Sequence, residues 1–210
     1  LKTVLPGAED FSEESFYEEI REKDETGRER IAGAKKLEGS VAQARRLCSR
    51  DPKRNFPVVT GKQGGRVVGY ATVGTAQGYS STLRVLVGFS PDLAEVVAIR
   101  VLYQQETPGL GANCTEVKTD KTIWGYLFGS SDEANADAAP PRPWFQVQFD
   151  GVQTGRLKNE IKAIKGLDAI TGATITSDAV RKAAHSASLR VSAALGREIP
   201  EPGKGGRKKR

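Results

Sequence analysis

The chain is poor in the residues that most often carry metal and nucleophilic chemistry. It has one histidine, His185, two cysteines, Cys48 and Cys114, and no methionine in 210 residues. No CxxC, HExxH or Cys/His cluster occurs, which argues against zinc and iron–sulfur sites. The two cysteines read either as a disulfide in an oxidising compartment or as two separate thiols. Aromatics are 7% and do not alternate with basic residues, so the body lacks a stacking platform for nucleic acid. No apolar run is long enough to span a bilayer, and there is no signal-peptide pattern. The absent initiator methionine makes Leu1 an unnatural start, so a segment upstream of it is expected.

What is present is a basic chain with uneven charge. The formal net charge is +6. Residues 1–30 hold 10 acidic and 5 basic side chains, and the remainder holds 27 basic and 16 acidic. The C-terminus, GKGGRKKR, is a Gly-spaced basic tail. It reads first as a solvated tail, then as a contact for nucleic acid, anionic lipid or an acidic partner. Length and composition fit one ordinary domain with tails.

Periodicity divides the chain further. Residues 9–25 (EDFSEESFYEEIREKDE) read as an acidic helix with Phe11, Phe16 and Ile20 on one stripe. Residues 34–48 read as a short helical or mixed segment. Residues 66–75, 82–89 and 95–103 are Val-rich and separated by turn signals, so they read as three antiparallel strands. Residues 144–149 (WFQVQF) alternate and read as a fourth. Residues 113–128 suggest a helix and residues 129–143 a Pro-ended loop. Val180, Ala183, Ala184, Ala187, Val191, Ala194 and Leu195 form a helical stripe, with Ser177 as its N-cap and Gly196 as its stop. His185 sits on that helix's polar side. The expected fold is a single α+β domain, an antiparallel sheet with helices packed to one side. Its organisation reads as an N-terminal helical region over 1–50, the main domain over 51–196 and a disordered basic tail over 197–210.

The chemistry concentrates before the last helix, in Asp168-Ala169-Ile170-Thr171-Gly172-Ala173-Thr174-Ile175-Thr176. Small residues, hydroxyls and a glycine at a helix start suit close approach of an anion to unpaired backbone N–H groups. Read blandly, the same string is a capped loop. A second string, Glu106-Thr107-Pro108-Gly109-Leu110-Gly111, follows the third strand and reads by itself as a Pro-Gly turn.

The order Asp-x-x-Thr-Gly-Ala-Thr resembles the flavinylation motif of the FMN-binding domain family, and the Glu-Thr-Pro-Gly-Leu-Gly stretch resembles that family's flavin-lining turn. Gly78-Tyr79-Ser80 resembles its strand entering the site, and Leu5-Pro6 with Phe11 its segment after a membrane anchor. Among members, the G subunit of the Rnf electron-transport complex is the nearest in wording. The resemblance implies covalent FMN on Thr174 through a phosphoester. Asp168, Thr171, Gly172, Ala173 and Thr176 would stand around the attachment point, and Glu106, Thr107, Gly109 and Leu110 beside the flavin. It assigns no catalytic residue and no metal. It further implies a single transmembrane helix before Leu1, a domain on the extracytoplasmic face of a bacterial or archaeal plasma membrane, and electron relay in an ion-translocating ferredoxin:NAD oxidoreductase complex. The partners would be the other subunits and, during maturation, a flavin transferase, with no nucleic acid. Two neighbouring readings stay open: the C subunit of the sodium-pumping NADH:quinone oxidoreductase, and a free-standing extracellular flavin module.

Overall fold

A computed structural model describes residues 1–117 and 141–203, apart from 26, 28 and 52. Its centre is one antiparallel sheet of β1 (Asp10–Lys23), β2 (Glu29–Lys36), β3 (Asn55–Gln63), β4 (Arg66–Gln77), β5 (Thr82–Phe89) and β6 (Val96–Tyr103), in the order β2-β1-β3-β4-β5-β6. Helix α1 (Val41–Arg50) joins β2 to β3, a one-turn helix α2 (Trp144–Val147) follows β6, and α3 (Thr174–Leu195) is the long C-terminal helix. The α+β class, with helices against an antiparallel sheet, is the one expected.

The main core lies between the sheet and α3. Val180, Ala183, Ala184, Ala187 and Val191 are fully buried, as the helical stripe predicts. Small residues let the helix ride close to the strands. A Cβ on Gly74 of β4 would lie 1.8 Å from the Ala183 carbonyl oxygen. Phe56, Val85, Val87, Phe89, Ile99 and Phe149 complete this layer. Gly196, at φ +60°, ends the helix in the left-handed conformation. Ser177 is not the N-cap: α3 begins a turn earlier, at Thr174. The Ser177 hydroxyl instead accepts from Ile170 N and donates to Ala173 O, both at 2.9 Å. That pairing ties the preceding loop to the helix from inside.

The other face of the sheet is covered by the first eight residues. Val4, Leu5 and Ala8 are buried there against Ala71 and Ala98. The strap lies in a channel of missing side chains. Added Cβ atoms would come within 2.1 Å of Val4 O at Gly88, 2.6 Å of a Leu5 methyl at Gly69 and 2.9 Å of the Ala8 methyl at Gly61.

Three further expectations are overturned. Residues 10–23 form a strand, not an acidic helix. Pairing on both edges, to β2 and to β3, outweighs the helical propensity of the glutamates. Tyr17 stacks on its cross-strand partner Phe56 at 5.8 Å, whereas Ile20 of the supposed helical stripe is 48% exposed. Residues 1–50 are accordingly not a separate helical region, because β1 and β2 extend the sheet of the rest. Residues 144–147 form a helical turn, not a strand. Phe145 and Phe149, four apart, are both fully buried with rings edge to face, while Val147 between them is exposed.

Elsewhere the sequence reading and the structure agree in part. The 34–48 segment splits between β2 and α1, where Ser40 and Gln43 form a reciprocal capping box. Strand β3, with Pro57 and Gly61 inside it, is an addition the sequence reading lacks. Of the helix expected over 113–128, residues 113–115 lie in a short 3-10 turn, Gly111–Thr115, and 118–128 lie outside the described residues. So do 129–140 of the expected loop and 204–210 of the basic tail. Cys48 and Cys114 are both thiols, not a disulfide. Among the described residues no helix is long and apolar enough to cross a membrane, and no cluster of His, Cys, Asp or Glu suits a metal ion.

Candidate functional site

Two turns separated by some 60 residues of sequence meet at the start of α3. The first follows β6. Glu106 enters it buried, Thr107 O accepts from Leu110 N and Ala112 N, and Gly109 sits at φ +75°. A left-handed residue there needs no Cβ, which explains the glycine. Thr107, Gly109 and Leu110 are all exposed. The second turn is Asp168–Ala173. Asp168 is exposed, and its N–H donates to Gln148 Oε1 at 2.7 Å. Gly172 is also left-handed, at φ +75°. The turns touch: a Cβ on Gly172 would lie 3.0 Å from a Leu110 methyl.

Thr174 is the first residue of α3, and its side chain is exposed. The N-cap is Ala173, which has no side-chain oxygen for the first-turn N–H groups. No acidic residue occupies that first turn. The helix end thus presents partial positive charge and an accessible hydroxyl at one place. Thr174 and Ile175 border an open cleft of about 310 Å3, whose wall includes Gln77, Lys162, Asp178 and Lys182. Lys182 pairs with Asp178 at 3.0 Å. Burial would raise the Asp178 carboxyl, but its bonds to Arg181 and Lys182 hold it below the usual range.

Thr176 differs from Thr174. It is 1% exposed, and its hydroxyl donates to Glu106 Oε2 at 2.6 Å. That oxygen also accepts from Tyr79 N at 3.1 Å. Glu106 Oε1 accepts from Ser80 N, Ser81 N and the Ser81 hydroxyl at 2.9–3.1 Å. Burial pushes the Glu106 carboxyl up, but the bonds from Thr176, Ser81 and Ser80 outweigh it and hold the group below its ordinary value. The neighbourhood tolerates nothing larger. Added Cβ atoms on Gly78 and Gly111 would meet the Glu106 side chain at 2.7 and 2.8 Å. Behind it, burial and the Glu106 charge push the Cys114 thiol up to about 12, which keeps it protonated and inert.

All ten residues singled out in the sequence therefore gather in one region, but in two roles. Thr171, Gly172, Thr174, Thr107, Gly109 and Leu110 are presented to solvent, with Asp168 at the edge. Glu106 and Thr176 face inward and hold the turns together, and Ala173 is 7% exposed. The sequence reading missed the cleft residues Gln77, Lys162, Asp178 and Lys182. Thr174, Asp178 and Lys182 do follow at four-residue spacing along one helix face, which is a signal in the sequence.

The pattern of the FMN-binding domain family matches residues 78–188, just over half the chain and all ten residues singled out in the sequence. The chain belongs to the FMN-binding domain family. The matched span opens at Gly78, beside the loop that Glu106 holds, and closes within α3. Among curated proteins, the chain is 32% identical over 138 residues to the G subunit of the Na+-translocating ferredoxin:NAD+ oxidoreductase complex of Acetobacterium woodii, covering 61% of this chain and 52% of that one. It is 35% identical over 132 residues to the G subunit of the ion-translocating oxidoreductase complex of Aliivibrio fischeri, covering 62% and 53%. The chain thus spans about half the length of the curated relatives it matches. Among solved structures it is similar to the C subunit of the Na+-translocating NADH-quinone reductase from Parabacteroides distasonis, at 19% identity and a TM-score of 0.49, covering 86% of this chain and 76% of that one.

Proposed function

We propose that this FMN-binding domain carries its flavin covalently, through a phosphoester to Thr174, and relays electrons in a membrane ion-translocating oxidoreductase complex of the Rnf type. The observation that carries the proposal is the position of Thr174: an exposed hydroxyl at the first residue of a 22-residue helix whose N-cap has no side-chain acceptor. A phosphodiester retains one negative charge, and a helix start of this kind favours it. The residues fit the group. No acidic side chain in the first turn opposes the phosphate, and Leu110 offers an exposed apolar surface against Gly172, two residues before the hydroxyl.

Bound FMN supplies the redox chemistry, taking up electrons from one partner and passing them to another. The protein's part is to fix the phosphate at α3, pack the ring and leave it accessible. The curated relatives are, by name, parts of ion-translocating complexes. Those names support other subunits as partners. To that reading we add, as parts of the same proposal, a flavin transferase acting on the Asp168–Thr174 turn during maturation and a membrane anchor preceding the domain, with the flavin on the extracytoplasmic face.

Co-expression with a flavin transferase tests the attachment. Intact mass should rise by one FMN less water, and Thr174→Ala should abolish flavin that survives denaturation while the fold persists. Covalent flavin retained in that variant would move the attachment elsewhere. Thr176 is a poor second choice, since its hydroxyl is buried on Glu106.

A further inference from the structure

We infer that Glu106 is a positioning residue: its buried carboxylate clamps the Tyr79–Ser81 loop and the first turn of α3 to each other, so that these two walls, the second of which begins at Thr174, move as one body. For its flavin consequences the inference rests on the function proposed above. Its mechanical part stands on geometry alone.

The clamp is built from both carboxylate oxygens. One accepts two backbone N–H groups, Ser80 and Ser81, and the Ser81 hydroxyl. The other accepts Tyr79 N and, at 2.6 Å, the hydroxyl of Thr176. Three consecutive backbone N–H groups converging on one carboxylate make a loop whose conformation depends on that charge. The loop lies between β4 and β5 and has little else to hold its backbone. Gly78 N bonds to Ser81 O, and Ser81 Oγ accepts from Gln105 N, which ties the same loop to the strand end that carries Glu106. Thr176 is two residues past Thr174, so its hydroxyl is the handle by which the clamp holds the attachment residue's turn. Glu106 N in turn donates to Gln104 Oε1 at 2.7 Å, which sets the start of the Thr107–Leu110 turn. A single side chain at 6% exposure thus joins three segments that have no common strand or helix.

Glutamine is the sharpest substitute. It is isosteric, but one of the two oxygens becomes an NH2 group that donates instead of accepting. It cannot receive Ser80 and Ser81 at one end and Tyr79 and Thr176 at the other. Thr176→Val removes the handle alone and leaves the loop bonds in place.

The experiment is site-resolved amide hydrogen exchange on the flavin-free 210-residue chain and on Glu106→Gln and Thr176→Val, followed by flavin loading, absorption spectra and midpoint potentials of the loaded proteins. Glu106→Gln should speed exchange at least tenfold at both Tyr79–Ser81 and Ser177–Ala179, the first hydrogen-bonded amides of α3, lower the fraction of chain loaded under limiting transferase by at least threefold, and shift the spectrum and potential of whatever flavin is attached. Thr176→Val should speed exchange at both walls by a smaller factor and shift the potential in the same direction, because it cuts only the link between them. Exchange that changes at one wall only in both variants would overturn the clamp. So would loading and potential equal to those of the unaltered chain in Glu106→Gln. If Glu106→Gln does not fold, the coupling seen in Thr176→Val decides. If the unaltered chain accepts no flavin, the proposed function fails, and exchange alone decides the clamp.

Discussion

Glu106 and Thr176 are 70 residues apart in sequence and joined by a 2.6 Å hydrogen bond, made by a hydroxyl two residues past the exposed hydroxyl proposed to carry FMN. The bond makes stability depend on pH in a defined direction. The folded Glu106 carboxyl lies below its ordinary value of 4.5, so the unfolded chain takes up its proton first as acid is added. The stability it contributes is fully present above that ordinary value and is lost as pH falls through the lower folded value. Urea titrations should show Glu106→Gln less stable by about 2 kcal/mol near neutral pH, the scale of hydrogen bonds to a buried charge. The gap should begin to narrow below about pH 4.5 and close as pH falls through the lower folded value, where Glu106 itself loses its charge. A gap independent of pH would mean that the ionised carboxylate is not what holds the loop.

The contact between Gly172 and Leu110 allows a second test. At φ +75°, Gly172 is in a region that costs an alanine about 1–2 kcal/mol. The new methyl would also press on Leu110, although the end of a leucine side chain can give way. Gly172→Ala should therefore lower stability by about 1 kcal/mol and reduce flavin loading more than stability, because the strain falls on the residue two before Thr174. Leu110→Ala should leave stability nearly unchanged, as the side chain is 44% exposed, and alter the spectrum of bound flavin. Unchanged loading and spectrum in both variants would remove this contact from the flavin site.

At the far end of α3, Arg190 donates through Nε to Glu19 Oε1 at 2.5 Å, with side chains 1% and 0% exposed. The guanidinium also donates to Val73 O and Lys53 O and lies 4.9 Å from the centre of the Phe56 ring. Glu19 has a second cation, Arg21, at 2.7 Å. The two ends of the pair are thus unequal. Glu19→Gln takes the carboxylate from a deeply buried guanidinium, leaving its charge to carbonyl and ring contacts, and should cost about 3 kcal/mol in denaturant titrations. Arg190→Met leaves Glu19 its Arg21 partner and replaces a long stem with an apolar one, so it should cost less. The reverse order would show that Arg190 acts mainly through its backbone and ring contacts rather than through charge balance.

The legibility of the sequence followed the range of the interactions. Strands β4 to β6 and helix α3 were readable because each carries its own period and its own turn residues, and neighbours in sequence are neighbours in the sheet. β1 was not. Its glutamates favour a helix locally, and what overrides them, pairing with β3 and the buried Arg190 partner of Glu19, lies up to 171 residues away. Trp144–Phe149 alternates on paper, yet Phe145 and Phe149 meet the core only when they stand a helical turn apart. The site was readable as two strings but not as roles. Glu106 and Thr176 look like Thr107 and Thr174 in sequence, and only the fold shows that one pair faces inward. Gly74 likewise gives no sign that it marks where Ala183 passes over the sheet.

The glycine channel on the opposite face supports a final prediction. Gly88 is in ordinary strand conformation, so an alanine there meets no backbone strain, yet its methyl would stand 2.1 Å from Val4 O. That neighbour is main chain and cannot rotate away, so the strap must lift. Lifting it exposes Val4 and Leu5, now 0% and 2% exposed, each contributing about 1.5–3 kcal/mol when fully buried. It also breaks the 3.3 Å bond from Arg100 Nη1 to Thr3 Oγ1. Gly88→Ala should lose about 3 kcal/mol, and amide exchange should rise at Val4, Leu5 and Ala8, whose N–H groups bond within the strap. Flavin loading at Thr174 should be retained under conditions where the chain stays folded, because α3 packs on the other face of the same sheet and its contacts at Gly74 are untouched. Gly69→Ala should raise exchange less at the strap, since its nearest strap atom is a Leu5 methyl that can turn aside, but it should also lose stability within the sheet, because its added Cβ would stand 2.5 Å from Phe89 O of β5. Strap exchange unchanged in Gly88→Ala, or raised equally in the two variants, would mean that the first eight residues adapt to the channel rather than being held by it.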